Sequence, residues 1–332
     1  MAERVRLGIV GAGHVGHAYA DALVDHPDAM LAGVADSARG IAASIGDPAG
    51  APSYDSTEAL LADGACDAVV LCTPPACHGA DASAALDAGV AVLCEKPFAT
   101  SVVSALRVLD RAERLAIPVT LATKFRFADG VRRAHDLVAS GALGEVERIQ
   151  VTFVAPVATE STWRADPVQA GGGVIADNGP HALDLCRRFA GPVLEVLAVA
   201  GRPVSSGAVE DSADILARTA VSLCSIELSW RYPATTDIYL AVQGTNGVVR
   251  VGWGGAQHRG GASTAWEQIG SAYDKRACFR AQLADFCAGV RGDGRFALDR
   301  ADVFATVETV AACYDSLARR GWVPCENASG NG

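Results

Sequence analysis

Val5-Arg6-Leu7-Gly8-Ile9-Val10-Gly11-Ala12-Gly13-His14-Val15-Gly16 decides the fold of this chain. Val5 to Val10 reads as a short buried strand, Gly11-x-Gly13-x-x-Gly16 follows at once, and a helical stretch runs on to about Val24. Strand, glycine turn and helix in that order are what make G-x-G-x-x-G a dinucleotide fingerprint and not a chance spacing. Gly11 permits the tight turn, Gly13 lets the backbone approach a pyrophosphate, and Gly16 lets the helix pack closely on the strand. His14 and Val15 complete the loop, and the helix start turns free N–H groups toward a phosphate. A second strand, Met30 to Ala35, ends in Asp36, 20 residues after Gly16, where a carboxylate accepts hydrogen bonds from a ribose diol. Asp36 repels a 2′-phosphate and so favours NAD, with Ser37 beside it. Arg39 either offsets that repulsion and admits NADP or is a plain solvent-exposed arginine.

The alternation continues outward from this unit. Ala68 to Cys72 is an uninterrupted apolar run, the pattern of a parallel strand buried on both faces. It ends at Thr73-Pro74-Pro75, with His78 opening a helix to about Asp87. Ala91 to Cys94 follows and ends at Glu95-Lys96-Pro97; then come a helix from about Ser101 to Leu115 and a strand from Val119 to Ala122. Repeated strand–helix units of this length predict a doubly wound parallel sheet, which binds ligands beyond the carboxyl ends of its strands. Thr73, Pro74, Pro75, His78, Glu95 and Lys96 fall at such ends and are cofactor candidates, although the prolines are equally explained as turn formers. Lys96 is one of only three lysines, with Lys124 and Lys275. An ammonium there can hydrogen-bond a substrate hydroxyl and stabilise charge on its oxygen.

After Phe125-Arg126-Phe127 the pattern changes. A helix from about Val131 to Ser140 precedes strand-like segments at Val146–Val154, Val193–Val199, Ile215–Ser222, Ser225–Tyr232 and Asp237–Gln243. Gly244-Thr245-Asn246-Gly247 reads as a hairpin turn into Val248–Trp253, and the glycine-rich Gly252–Gly261 reads as a loop. Two helices, near Phe279–Val290 and Ala301–Ala318, close the chain, and the tail from Glu326 reads as disordered. The expected architecture is therefore α/β: a Rossmann domain over 1–123, an α+β domain with a mainly antiparallel sheet over 124–325, and a tail over 326–332.

Within the second half, Ala170 to Asp184 reads AGGGVIADNGPHALD. Pro180 suits the first turn of a helix, with Gly179 near its cap, which puts Asp177 just ahead of the helix and His181 in its first turn. An imidazole is suited to moving a proton and a carboxylate to orienting it; packing of the helix start explains the same two residues about as well. Asp184 is either an alternative partner for His181 or a helix-surface charge.

Bulk composition narrows the field. The 332 residues are half hydrophobic and carry a net charge of −10, which argues against nucleic acid or anionic membrane as a partner. Ten cysteines lack any Cys-x-x-Cys pair or zinc-spaced His–Cys cluster, so no metal site is expected and buried reduced thiols of a cytoplasmic protein are. No signal-peptide core and no apolar stretch of membrane-spanning length is present.

Taken together, GIVGAGHVG, Asp36, CTPPACH at 72–78, Glu95-Lys96-Pro97, KFRF at 124–127, SGALGEV at 140–146 and GGGVIADNGPHALD resemble the glucose-fructose oxidoreductase / inositol dehydrogenase / rhizopine-catabolism (Gfo/Idh/MocA) family over nearly the whole chain. The resemblance implies a Rossmann domain followed by a domain with a large open sheet, homodimers or homotetramers, and NAD or NADP used on a secondary hydroxyl of a sugar, cyclitol or related compound. It assigns His181 as the general base, Asp177 as the residue that tunes it and Lys96 as the group holding the reacting oxygen. Lys124, Arg126, Trp163 and Arg164 are the further substrate-binding candidates. Acidity and an Arg-, Ala- and Gly-rich composition make an aminoglycoside intermediate, and so antibiotic biosynthesis, worth naming. The alternatives are an NADP-dependent reductase of a keto-sugar and a non-catalytic nucleotide sensor. Against the sensor stand Lys96, Asp177 and His181, all intact.

Overall fold

The computed structural model describes residues 3–326 except 39, 160–161, 202–208, 235 and 262, so Arg39 and tail residues 327–332 lie outside the described residues. In chain order the first elements are β1 (Val5–Val10), α1 (His14–Leu23), β2 (Ala29–Ala35), α2 (Ala43–Ala49), β3 (Ser53–Tyr54), α3 (Thr57–Ala62), β4 (Ala68–Leu71), α4 (Pro75–Asp87), β5 (Ala91–Cys94), α5 (Val102–Leu115) and β6 (Val119–Leu121). The described strands among them form one parallel sheet in the order β3-β2-β1-β4-β5-β6, the doubly wound Rossmann order. β4 and β5 are buried at every position, which is why their sequences are apolar without alternation.

The chain continues through α6 (Asp129–Ala139), β7 (Val146–Val154), α7 (Pro167–Ala170), α8 (Val174–Ala190), β8 (Val193–Ala200), β9 (Ser212–Thr219), β10 (Leu223–Ser229), β11 (Ile238–Gly244), β12 (Gly247–Gly252), β13 (Gly255–Gly260) and β14 (Glu267–Gly270). It ends with α9 (Lys275–Arg291), α10 (Arg300–Arg319) and β15 (Val323–Pro324). A second described sheet runs β14-β13-β12-β11-β7-β10-β9-β8-β15, antiparallel throughout except for the parallel β7–β10 pair. Along β7, Ile149, Val151 and Phe153 are buried while Arg148 and Gln150 are exposed. α6 and α8 pack against strands of this sheet. Alternation of this kind marks a sheet buried on one face. Among the described residues no helix is long and apolar enough to cross a membrane, and eight of the ten cysteines are buried.

Three expectations need correction. The glycine-rich Gly252–Gly261 is not a loop: β13 pairs with β12 from Gly247↔Gly260 to Gly252↔Gly255, and β14 adds to it. Gln257, His258 and Arg259 interrupt the hydrophobic alternation that would have announced a strand there. The domain boundary is also more complicated than a cut at 123/124. The compact units are Met1–Lys124 with Lys275–Phe304, and Phe125–Asp274 with Ala305–Gly332. α9 returns to the first unit because Phe279, Leu283, Phe286 and Cys287 complete its core. Phe279 meets Tyr19 of α1 edge-on at 4.5 Å between ring centroids, worth about 0.5–1.5 kcal/mol beyond area burial. Third, the helix that carries Asp177 and His181 begins at Val174, so Gly179 and Pro180 lie inside it and not at its start. Pro180 forgoes the amide that would have bonded the carbonyl four residues back.

Candidate active site

In the first unit the glycine loop is shaped by what a side chain would strike. Gly11 has φ +94°, and a Cβ there would lie 2.7 Å from the Cys72 carbonyl carbon. One at Gly16 would land on the Gly11 carbonyl oxygen. Gly13 differs: nothing stands within 4 Å of a Cβ built on it, and it is exposed. α1 starts directly after it with no side-chain cap and no acidic residue in its first turn. An open backbone approach before an uncapped helix start fits a pyrophosphate.

Asp36 stands at the end of β2 with both oxygens anchored, Oδ2 accepting from the Ala12 amide and Oδ1 from the Ala38 amide, each at 2.8 Å. Each oxygen retains a lone pair for a ribose hydroxyl. Ser37 and His14 are exposed, and Val15 is half-buried. Lys275, which the sequence reading left without a role, brings Nζ to 3.2 Å from His14 Nε2. Lys275 and Lys124 both sit over the Phe279 ring, at 5.9 and 6.0 Å from its centroid. The substrate candidate Lys124 therefore belongs to the first unit.

At the carboxyl ends of β4 and β5, two cofactor candidates are buried and hydrogen-bonded within the fold. His78 is buried, with Nδ1 2.8 Å from the Pro97 carbonyl and Nε2 2.8 Å from the Thr73 carbonyl. It ties the turn before α4 to the Glu95-Lys96-Pro97 turn. Burial holds its pKa below the ordinary imidazole range, against the pull of the two carbonyls. Glu95 is likewise buried: Oε1 accepts from Tyr19 Oη at 2.9 Å, Oε2 from the Lys96 amide at 3.2 Å, and Gln282 Nε2 donates to Tyr19 at 2.6 Å. Burial, then the nearby Glu95 charge, keeps the Tyr19 phenol protonated well above its usual range. Pro74 caps α4 and Pro75 is its first residue, where a missing N–H costs nothing. Thr73 donates to Asp81 at 2.8 Å. Lys96 is half-buried on top of this scaffold.

In the second unit, Asp177 lies in the first turn of α8 and His181 one turn later, on the same helical face. Arg164, from the turn Trp163–Ala165, places Nε 3.8 Å from Asp177 Oδ2 and its guanidinium over the Trp163 ring at 4.5 Å. His181 is 4% exposed. Its ring stands edge-on to Phe125 at 5.1 Å and to Phe153 at 6.4 Å. Phe125 in turn contacts Tyr239, Trp253 and Tyr273, a cluster spread over distant segments that no local sequence pattern announces.

Asp184 is neither a partner of His181 nor a surface charge. It is 2% exposed and pairs with Arg126, itself 8% exposed, at 2.7 Å from Nη2, while Arg126 Nε donates to both Asp184 oxygens at 2.9 Å. Arg126, a substrate candidate by sequence, is thus committed to a buried ion pair. Lys96 belongs to the first unit and the Asp177–His181 pair to the second.

Residues 5–123 match the oxidoreductase family with an NAD-binding Rossmann fold, and residues 131–250 match the GFO/IDH/MocA C-terminal domain. The chain is 28% identical to D-xylose 1-dehydrogenase (NADP(+)) 2 of Haloferax volcanii, covering 93% of this chain and 96% of that one. It is 31% identical to inositol 2-dehydrogenase of Rhizobium meliloti over 74% of each chain. The crystal structure of GenD2 from gentamicin A biosynthesis, solved in complex with NAD, superposes with a TM-score of 0.86 at 28% identity, covering 98% of this chain and 97% of that one. With both halves matched in order, this chain belongs to the Gfo/Idh/MocA family of NAD(P)-dependent oxidoreductases.

Proposed function

We propose that the protein is an NAD-dependent dehydrogenase that oxidises a secondary ring hydroxyl of a sugar, cyclitol or aminoglycoside-type metabolite to a ketone. The observation that carries this reading is the Asp177–His181 pair, a carboxylate and an imidazole one helical turn apart on α8. The exposed member of the neighbouring aromatic cluster, Trp253, is 42% accessible and offers an apolar face to the C–H side of a ring. Names of relatives that act on xylose and inositol, and of one from an aminoglycoside pathway, support the substrate class.

In this mechanism the nicotinamide, when bound, supplies the acceptor for the hydride that leaves the carbinol carbon. His181 takes the hydroxyl proton as the C–H bond breaks and the carbonyl forms. Asp177 steadies the imidazolium that results. Lys96 donates to the reacting oxygen and stabilises its developing charge, held by the Glu95 carboxylate that grips its amide. Asp36 accepts from the ribose diol. Trp163 and Arg164, on the turn beside Asp177, select the substrate together with Lys124. The same reading makes the protein a cytoplasmic homodimer or homotetramer. One observation favours a second reading, NADP-dependent reduction of a keto-sugar at the same groups: the Haloferax relative is named for NADP(+).

The test is a panel of myo-inositol, D-xylose, other polyols and aminoglycosides with NAD and NADP, following reduced-cofactor absorbance in wild type and Lys96→Ala. On the best substrate, Lys96→Ala lowers kcat by about 10²-fold or more while the NAD Kd, read by fluorescence, stays within about twofold. Unchanged turnover overturns the mechanism. Asp36→Ala removes both the ribose acceptor and the charge facing a 2′-phosphate, so the NAD/NADP ratio of kcat/KM falls by about 10–100-fold. An unaltered ratio refutes the assignment of Asp36 to the ribose.

A further inference from the structure

The start of α8 is closed by residues from two distant segments. Four amides that a helix start leaves without intrahelical partners belong here to Gly173, Val174, Ile175 and Ala176. The Gly173 amide lies 3.1 Å from each Glu210 carboxylate oxygen, and the Ile175 amide lies 3.0 Å from Oε1. The Val174 amide donates to the Glu210 backbone carbonyl at 2.9 Å. The Tyr314 hydroxyl donates to Glu210 Oε1 at 2.8 Å, and its oxygen lies 3.1 and 3.2 Å from the Gly173 and Ala176 amides. Burial, reinforced by Glu210, raises the Tyr314 pKa, so the phenol remains a donor. Gly172 and Gly173 now have a reason. A Cβ at Gly172 would land on the Tyr314 hydroxyl, and one at Gly173 on the Glu210 carbonyl.

We propose that Glu210 and Tyr314 are positioning residues for the acid–base pair. By taking all four amides they set where α8 begins and how it is rotated about its axis, and so the direction in which Asp177 and His181 project. Asp177 makes the first α-helical bond after this clamp, its amide donating to the Gly173 carbonyl at 3.0 Å. A loosened first turn moves Asp177 directly and His181 through the next turn. The inference rests on the proposed roles of those two residues and adds the residues that hold them.

The test uses the full-length protein with Glu210→Gln and Tyr314→Phe, the latter removing a single oxygen so that at least one variant folds. Three quantities are read: hydrogen exchange of the amides at 173–176, the NMR shift of the His181 ring, displaced by the ring current of Phe125, and kcat with KM on the best polyol of the panel. Exchange at these amides is expected to rise about tenfold or more, and the His181 resonances move. The kcat falls about 10–100-fold, while the polyol KM and the NAD Kd stay within about twofold. Unchanged exchange overturns the clamp. Opened amides with wild-type His181 resonances and kcat overturn the positioning role and leave only a structural one. If His181→Asn retains turnover, the dehydrogenase mechanism fails, yet the exchange and NMR results still decide whether Glu210 and Tyr314 fix the helix.

Discussion

His181→Asn is expected to lower kcat/KM on the best panel substrate by about 10²–10⁴-fold, the range for removal of a positioned general base. The effect falls on kcat more than on substrate KM, because proton removal belongs to the transition state. Fold and cofactor affinity are expected to hold. His181, on α8 of the second unit, packs edge-on against Phe125 and Phe153 of the same unit, whereas the nucleotide loop and Asp36 belong to the first unit. Steady-state kinetics together with NAD titration and the melting temperature check this. A variant within threefold of wild type would remove His181 from the mechanism, whatever its place in the fold.

The largest expected effect on stability lies at Asp184. Asp184→Asn leaves the Arg126 guanidinium, 8% exposed, without the carboxylate it touches three times. Removing one partner of a buried pair costs about 3–5 kcal/mol, mostly the cost of an uncompensated buried charge. The double variant Arg126→Met/Asp184→Leu removes both charges and is expected to recover most of that loss. Urea denaturation of wild type, the single variants Arg126→Met and Asp184→Leu, and the double variant measures the coupling. A loss below about 1 kcal/mol in Asp184→Asn would mean the pair is a bystander. Activity is a separate matter: the pair joins the turn Lys124–Phe127 to α8, so the single variant also disturbs the helix bearing Asp177 and His181.

The parts of this protein that could be read from the chain alone are those whose causes are local. β1, Gly11 to Gly16 and Asp36 lie within one short unit whose physics leaves little choice of residue, and β4 and β5 declare themselves by unbroken burial. The helix bearing His181 was legible as a helix but not in its start, because Gly179-Pro180 carries the local signature of a boundary. The actual boundary is set by Glu210 and Tyr314, 37 and 141 residues from Gly173. Asp184 reads as either a partner for His181 or a surface charge because its actual partner, Arg126, lies 58 residues earlier. The sequence places His78 and Glu95 at strand ends but does not show that their side chains turn inward, to the Thr73 and Pro97 carbonyls and to Tyr19. α9 read as part of the second domain because chain order conceals a return to the first. β13 was lost to its glycines.

Two helix starts in this chain have opposite fates. That of α1 has no side-chain cap, while that of α8 is plugged by the chain's own carboxylate. Both carry the partial positive charge that draws anions. The chain thus satisfies one of these two helix starts with its own carboxylate and leaves the other without a side-chain cap. Small oxyanions are accordingly expected to collect at the α1 start and not at the α8 start, where Glu210 already holds the amides.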